Sequence, residues 1–251
     1  MDGILIARRL IAEEREKKTG FLDLGNLGLT EVPVELFELT HLRGLNLGTH
    51  YVDEQGEYHR SSNGDEDNSN RLRALPAALK ALANLVSLSI HGNPIEDLGP
   101  LQACTALQQL DCWNTQVTDL GPLVSILSLQ ELRVNGCQLK DLPRQLLFQE
   151  SLRELILHEV TIGGIPPEVL SADESSSCLE ELRAHLVDAE RGSEEIREAK
   201  LVVLGNGRVG KTQICRRLRG LPYDDTVAST HGITVTAEPW AGSTNDEMLN
   251  I

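Results

Sequence analysis

One motif recurs along the first three-quarters of the chain. Leucine or isoleucine stands at fixed offsets, L-x-x-L-x-L-x-x-N-x-L, with Asn, Thr or Cys at the ninth place. It is clearest in Leu85, Leu88, Ile90, Asn93, Ile95 and Leu98. The same series returns 22 residues later in Leu107, Leu110, Cys112, Thr115, Val117 and Leu120, and again in Leu129, Leu132, Val134, Cys137, Leu139 and Leu142. A fixed period of this kind forces a stacked architecture. One unit buries almost nothing alone, and only stacking makes a continuous core that offsets chain entropy. Composition agrees: with aromatics at 3%, the core must be Leu, Ile, Val and Ala in regular layers.

This is the leucine-rich-repeat pattern, in which short strands line one face of a curved stack. Leu22, Leu24, Leu29 and Val32-Pro33 begin it, and Leu42, Leu45 and Leu47 follow. Leu152, Leu155, Leu157, Val160, Ile162 and Ile165 extend it, and Leu179, Leu182 and Ala184 are read as a last strand. The expected fold is therefore α/β, a solenoid of about seven repeats over 21–188. The spacing of Ile4, Ala7, Leu10 and Ile11 predicts an amphipathic capping helix within 1–20. The apolar run Ile4 to Ala7 is too short for a signal-peptide core, and nothing approaches a membrane span. Asn93 at the ninth place can bond the backbone of neighbouring coils, and Cys137 can replace Asn there as a structural residue.

Strand alternation puts Ser89 and His91, Asp111 and Trp113, Arg133 and Asn135, Ile156 and His158, and Arg183 and His185 on the concave outer face. Among them His91, Asp111, Trp113, Arg133, Asn135, His158, Arg183 and His185 are the candidate surface for a protein partner. Trp113 is the anchor, since a Trp exposed in a concave surface suits an interface hot spot. Between Leu47 and Leu72 the second repeat carries roughly twenty extra residues, near 48–70, rich in Asp, Glu, Asn, Ser and Gly. They are expected to form a mobile surface loop. Asp65 to Asn70 lacks the Gly and closing Glu of a calcium loop. A net charge of −15 excludes nucleic acid and anionic membrane as partners, because both require neutralisation by Lys and Arg. Five Cys without C-x-x-C spacing point to a reducing, cytoplasmic setting.

Beyond a linker over 189–200, Leu201-Val202-Val203-Leu204 reads as a buried strand. Gly205-Asn206-Gly207-Arg208-Val209-Gly210-Lys211-Thr212 follows, a G-x-x-x-x-G-K-T phosphate loop. Its glycines allow backbone N–H groups to cradle phosphates at a helix N-terminus. Lys211 reaches the outer phosphates and Thr212 ligates magnesium. Ile214, Cys215 and Leu218 mark one side of the helix that follows, which ends at Gly220. Gly205, Gly207 and Gly210 with Asp225 also spell a dinucleotide fingerprint. Lys211-Thr212 directly after the third Gly, and Asp225 in a polar loop after Pro222, favour the phosphate loop.

Repeats running into this loop, and then Ser229-Thr230-His231-Gly232-Ile233, resemble the Roco proteins, whose repeats precede a Ras-like Roc GTPase domain and a COR dimerisation domain. The resemblance implies GTP or GDP as ligand and Thr230 as the switch I threonine, a second magnesium contact beside Thr212. It implies that residues 201–251 open a Roc-type domain whose D-x-x-G and N/T-K-x-D motifs, absent after Thr212, lie further downstream. Dimer contacts would also lie there. The chain is accordingly expected to be an N-terminal fragment or truncated product without hydrolysis of its own. Two other functions stay open: a scaffold using the repeats alone, and an ATP-using repeat-containing switch protein.

Overall fold

The computed structural model describes residues 2–53, 57–64, 66–191, 211–218, 221–226, 237–239 and 248–250. The chain divides into two units, Met1–Arg191 and Gly192–Ile251.

The first unit opens with helix α1, Gly3–Lys17, capped by Asp2, whose carboxylate accepts the Ile4 N–H at 3.1 Å. Of the positions read from the spacing Ala7 and Ile11 are buried and Ile4 and Leu10 partly so, and Glu14 is buried as well. Glu14 fixes the lid to the repeats: it accepts hydrogen bonds from the Thr19 hydroxyl and the Gly20 N–H and meets His41 Nε2 at 2.9 Å. Burial raises its pKa, but these hydrogen bonds outweigh burial and the net shift is downward.

Strands β1 (Phe21–Asp23), β2 (Gly44–Asn46), β3 (His50–Val52), β4 (Tyr58–Arg60), β5 (Ser87–Ser89), β6 (Gln109–Asp111), β7 (Glu131–Arg133) and β8 (Glu154–Ile156) follow. β1, β2, β5, β6, β7 and β8 form one six-stranded parallel sheet in that order. Its register aligns Leu22, Leu45, Leu88, Leu110, Leu132 and Leu155 in one buried row. On the opposite side the coils return through single 3-10 turns at Val34–Glu38, Ala77–Ala81, Gly99–Ala103 and Gly121–Ser125, or through the short helix α2, Arg144–Leu147. Each buries a leucine: Leu36, Leu79, Leu101, Leu123 and Leu146. In two of them an Asp-Leu-Gly-Pro sequence sets the turn, Asp97 and Asp119 each accepting the N–H of the glycine two residues on at 2.7 Å.

At the inner turn after β1, β5, β6, β7 and β8 the backbone passes through the left-handed region, at Asn26, Gly92, Asn114, Gly136 and Glu159. The next residue occupies the ninth place of the repeat. There Asn70 Nδ2 donates to the carbonyls of Leu24 and Leu47 while its Oδ1 accepts from Leu27 and Leu29. Asn93 bonds the Leu47 and Ile90 carbonyls and the Leu72 N–H. Thr115 and Cys137 continue the series, both on the Cys112 carbonyl. Cys137 is thus structural. Cys104, Cys112, Cys137 and Cys178 are free and buried, and Cys215 is free and exposed.

Two expectations are corrected. The seventh repeat has no strand: Leu179–Arg191 is a helix, α3, which begins inside the span read as a last coil and runs into the span read as linker. Cys178, Leu179 and Leu182 bury themselves against the last repeat. Ser177 Oγ accepts the Leu155 N–H, and the Cys178 N–H donates to the Leu155 carbonyl, which closes the open edge at β8. Arg183 donates to the carbonyls of Leu147, Gln149 and Leu152 at 2.7–3.2 Å. Leu-x-x-Leu fits a helix face as well as a coil, and an apolar stack end needs a cap. The second correction concerns the insertion, whose described residues include a pair of strands. β3 and β4 pair antiparallel, His50 opposite Arg60, Tyr51 opposite His59 and Val52 opposite Tyr58.

In the second unit α4, Lys211–Leu218, is followed by strands β9 (Ala237–Pro239) and β10 (Met248–Asn250), paired antiparallel. Among the described residues no helix is long and apolar enough to cross a membrane.

Replacing Arg183 with Ala leaves three carbonyls without their charged donor. The expected cost is about 1.5–3 kcal/mol in urea unfolding monitored by circular dichroism; an unchanged midpoint would remove Arg183 from the cap.

Candidate functional site

The concave face carries three rows of side chains, set by the pleat on either side of the buried leucines. The first runs Ser87, Gln109, Glu131 and Glu154, and it was missing from the sequence reading, which began each pair one position too late. The second runs Asp23, Asn46, Ser89, Asp111, Arg133 and Ile156. His91, Trp113, Asn135 and His158 continue beyond it. Arg183 and His185, on α3, belong to the cap and not to this face.

The insertion lies on these rows as a ribbon, anchored at both sides. The Thr49 N–H donates to the His91 carbonyl and the Ser61 N–H to the Thr49 carbonyl. Ser61 Oγ donates to the Asp23 carboxylate at 2.9–3.0 Å, and Asn63 donates to the Asp23 and Gly25 carbonyls. Ser89 donates its hydroxyl to the His50 carbonyl. Gly48 is needed where the insertion departs: a Cβ there would stand 2.5 Å from the His91 nitrogen.

Rings then join the ribbon to the sheet. Phe21 meets Tyr51 with centroids 4.8 Å apart, His50 lies 5.1 Å from both Tyr58 and His91, and His91 meets Trp113 edge-on at 5.1 Å. Tyr58 tilts toward Trp113 at 6.2 Å. The chain has two Trp and three Tyr, so one Trp and two Tyr gather here. Trp113 is half-buried within this cluster, not the open anchor expected. Thr49 Oγ1 bonds His91 Nδ1. Burial, and then the His50 ring, push the His91 imidazole down to about 4, so it is neutral at pH 7.

Ser89, Asp111, Asn135 and Ile156 were expected to face solvent and are instead buried. Asp111 is the exceptional one. Its Oδ1 accepts the Trp113 N–H at 3.0 Å, but Oδ2 has no hydrogen-bond partner, and neither has Asn135 Nδ2. Burial pushes the Asp111 carboxyl up to about 6, against the Trp113 N–H and the Arg133 charge, which pull it down. Where Val52 approaches the sheet a small cleft remains, lined by Ser89, Gln109, Asp111, Glu131 and Arg133. Gln109 Nε2 donates to Glu131 at 3.3 Å, and Glu131 stands in register with Glu154. No group of three or more metal-ligating side chains occurs among the described residues.

Of the residues read as nucleotide-binding, Gly205, Asn206, Gly207, Arg208, Val209, Gly210 and Thr230 lie outside the described residues. Lys211 and Thr212 are the first two residues of α4. Gln213 exchanges hydrogen bonds with the Asp224 backbone, and Arg216 lies 3.4 Å from the Asp224 carboxylate. Ile214 and Cys215, read as the helix's apolar side, are exposed.

The family model for leucine-rich repeats in two copies matches residues 105–146. The chain carries leucine-rich repeats. A prokaryotic protein of unidentified organism, named a Roc-COR-CHAT protease, is 36% identical over 87 residues, which is 34% of this chain and 8% of that protein. Among solved structures, an internalin C2 of Listeria monocytogenes aligns at a TM-score of 0.36 with 25% identity, covering 59% of this chain and 75% of its own. An internalin (inlF) of the same species aligns at 0.37 with 20% identity, covering 65% and 57%.

Asp111→Asn keeps the acceptor for Trp113 and removes a buried charge. A carboxyl raised from 3.8 to about 6 is a stability cost that is absent below pH 3.8, grows between pH 4 and 6 and then levels off. The variant should therefore melt higher than the parent at pH 7.5, by about 1–3 kcal/mol, and the gap should close toward pH 4. Calorimetry across that range checks the sign. Separately, Tyr58→Ala removes two ring contacts worth about 0.5–1.5 kcal/mol each. Amide hydrogen exchange at Tyr51 and Val52 should accelerate by about tenfold or more; unchanged protection would mean that the rings do not hold the ribbon.

Proposed function

We propose that this chain is the partner-sensing and phosphate-loop portion of a Roco-type GTP-binding signalling protein. The repeats bind a protein partner on the concave face, and the second unit contributes the start of a GTP and magnesium site. The observation that carries this reading is the order of parts: a leucine-rich-repeat solenoid followed by a G-x-x-x-x-G-K-T sequence whose Lys211 and Thr212 begin helix α4. The partial likeness to a protein named for Roc and COR segments supports it.

A helix N-terminus carries the positive end of the helix dipole, which favours phosphate. Lys211 would hold the outer phosphates, Thr212 the magnesium, and Thr230 would report the outermost phosphate. The bound magnesium would neutralise phosphate charge. Gly205 to Gly210 would admit close approach of the backbone. Hydrolysis, and dimerisation of the COR type, belong to the whole protein. A cytoplasmic setting accords with four buried free thiols.

A repeat-only scaffold is the second reading, favoured by the family match lying wholly within the repeats. Fluorescent GTP titration with magnesium on the full-length gene product separates them. Saturable binding that excess ATP does not displace, weakened at least a hundredfold by Lys211→Ala, is expected. No binding by the parent protein would leave the scaffold, and displacement by ATP would make the loop that of an ATP-using protein.

A further inference from the structure

In the second unit the segment 221–226 is fastened to α4 by polar contacts. Gln213 Nε2 donates to the Asp224 carbonyl at 2.5 Å while its Oε1 accepts the Asp224 N–H at 3.2 Å, so one side-chain amide engages both backbone groups of a single residue. One turn further along α4, Arg216 donates to the Pro222 carbonyl at 3.2 Å and stands 3.4 Å from the Asp224 carboxylate. That carboxylate also accepts the hydroxyl and the N–H of Thr226, a turn that sets the direction in which the chain departs. The Thr226 hydrogen bonds, and then the Arg216 charge, hold the Asp224 carboxyl below its usual range. Leu221 and Tyr223, the apolar and aromatic members of the segment, are exposed, Tyr223 by 77%. Burial of side chains therefore does not supply this attachment.

The latch brings together two positions that the sequence keeps apart. Gln213 directly follows Thr212, and Thr230 stands six residues after Asp224 but eighteen after Thr212. Six residues span at most about 20 Å, and eighteen span about 60 Å. We propose that Gln213 is a positioning residue of the nucleotide site, whose amide ties Asp224 to α4 and so shortens the tether on which Thr230 meets the magnesium and the outermost phosphate. The inference rests on the GTP-binding reading and adds what governs the approach of Thr230. Loop-closure cost grows with the logarithm of length. Returning Thr230 on an eighteen-residue tether in place of a six-residue one lowers the closed population about fivefold. Both partners on Asp224 are backbone groups, so the latch depends on the residue at 213 and not on the side chain at 224. Thr230 reads a phosphate that GDP lacks. The latch therefore acts on GTP selectively, whereas a fault in the fold of α4 weakens both nucleotides.

The test is Gln213→Ala in the full-length gene product. With magnesium present, release of a fluorescent, non-hydrolysable GTP analogue should quicken about fivefold, and release of fluorescent GDP should not change. In the nucleotide-free protein, amide hydrogen exchange at Asp224 should accelerate, which reads the latch without any ligand. Arg217→Gln, an exposed change on the same helix, should alter none of the three. Equal quickening for GDP makes Gln213 a residue of the fold only and overturns the inference. Unchanged release of the GTP analogue, unchanged exchange at Asp224, or the same effects from Arg217→Gln overturn it too, and all of these leave the GTP-binding reading standing. A parent protein that binds no GTP overturns that reading, and the inference falls with it.

Discussion

Everything in the first unit depends on how the inner turn of each coil disposes of its backbone polar groups. A strand of three residues cannot satisfy itself, and the chain must reverse at once toward the convex side. A left-handed residue makes the reversal after five of the six strands, and where the ninth place is polar, at Asn70, Asn93, Thr115 and Cys137, its side chain bonds backbone groups of the turn. Asn does this best, because one amide both donates and accepts. Where Thr115 and Cys137 replace it, hydroxyl and thiol share the Cys112 carbonyl and bond each other. Stacking of leucines supplies the driving force, but these bonds set the spacing at which leucines meet.

The same turn admits the insertion. In the second repeat the segment enters between Leu47 and Asn70, at the place where other coils spend a few residues, and Asn70 still completes the ladder on both sides. The stack therefore does not notice the added residues, and they are free to fold back over the concave face. That covering creates the site. Without the ribbon the Asp111 carboxylate and the His91 imidazole would be hydrated; beneath it, burial moves their pKa values in opposite directions, toward the neutral forms.

Most of the solenoid was legible because its period is enforced by packing, so that each leucine could be assigned to a place in a coil. The lid helix was legible for the same reason. The insertion was misread on composition. Its polar average concealed His50-Tyr51-Val52 and Tyr58-His59-Arg60, two aromatic and β-branched triplets around Asp53 to Glu57, with Gly56 between them, which is the form of a hairpin. Composition measures whether a segment can build its own core, whereas this one borrows the core of the sheet beneath. The final coil failed differently: Leu179 and Leu182 satisfy both coil and helix spacing, and a repeat scan cannot tell where a stack ends. The buried state of Asp111 was not legible at all, since it comes from residues sixty positions upstream.

The location of that carboxylate in the stack is itself informative. Solenoid stability is close to a sum of repeat terms and nearest-neighbour interfaces, so a local cost is tolerated best where both neighbours are complete. Asp111 lies on β6, the fourth of six strands, with Ser89 and Arg133 in register on either side. At β1 or β8 the same unsatisfied charge would add to the cost of an end that already needs a helix to cover it. The interior of the sheet, under a ribbon that restricts water, is where a repeat protein can hold a carboxylate out of its preferred environment at the least cost to the stack.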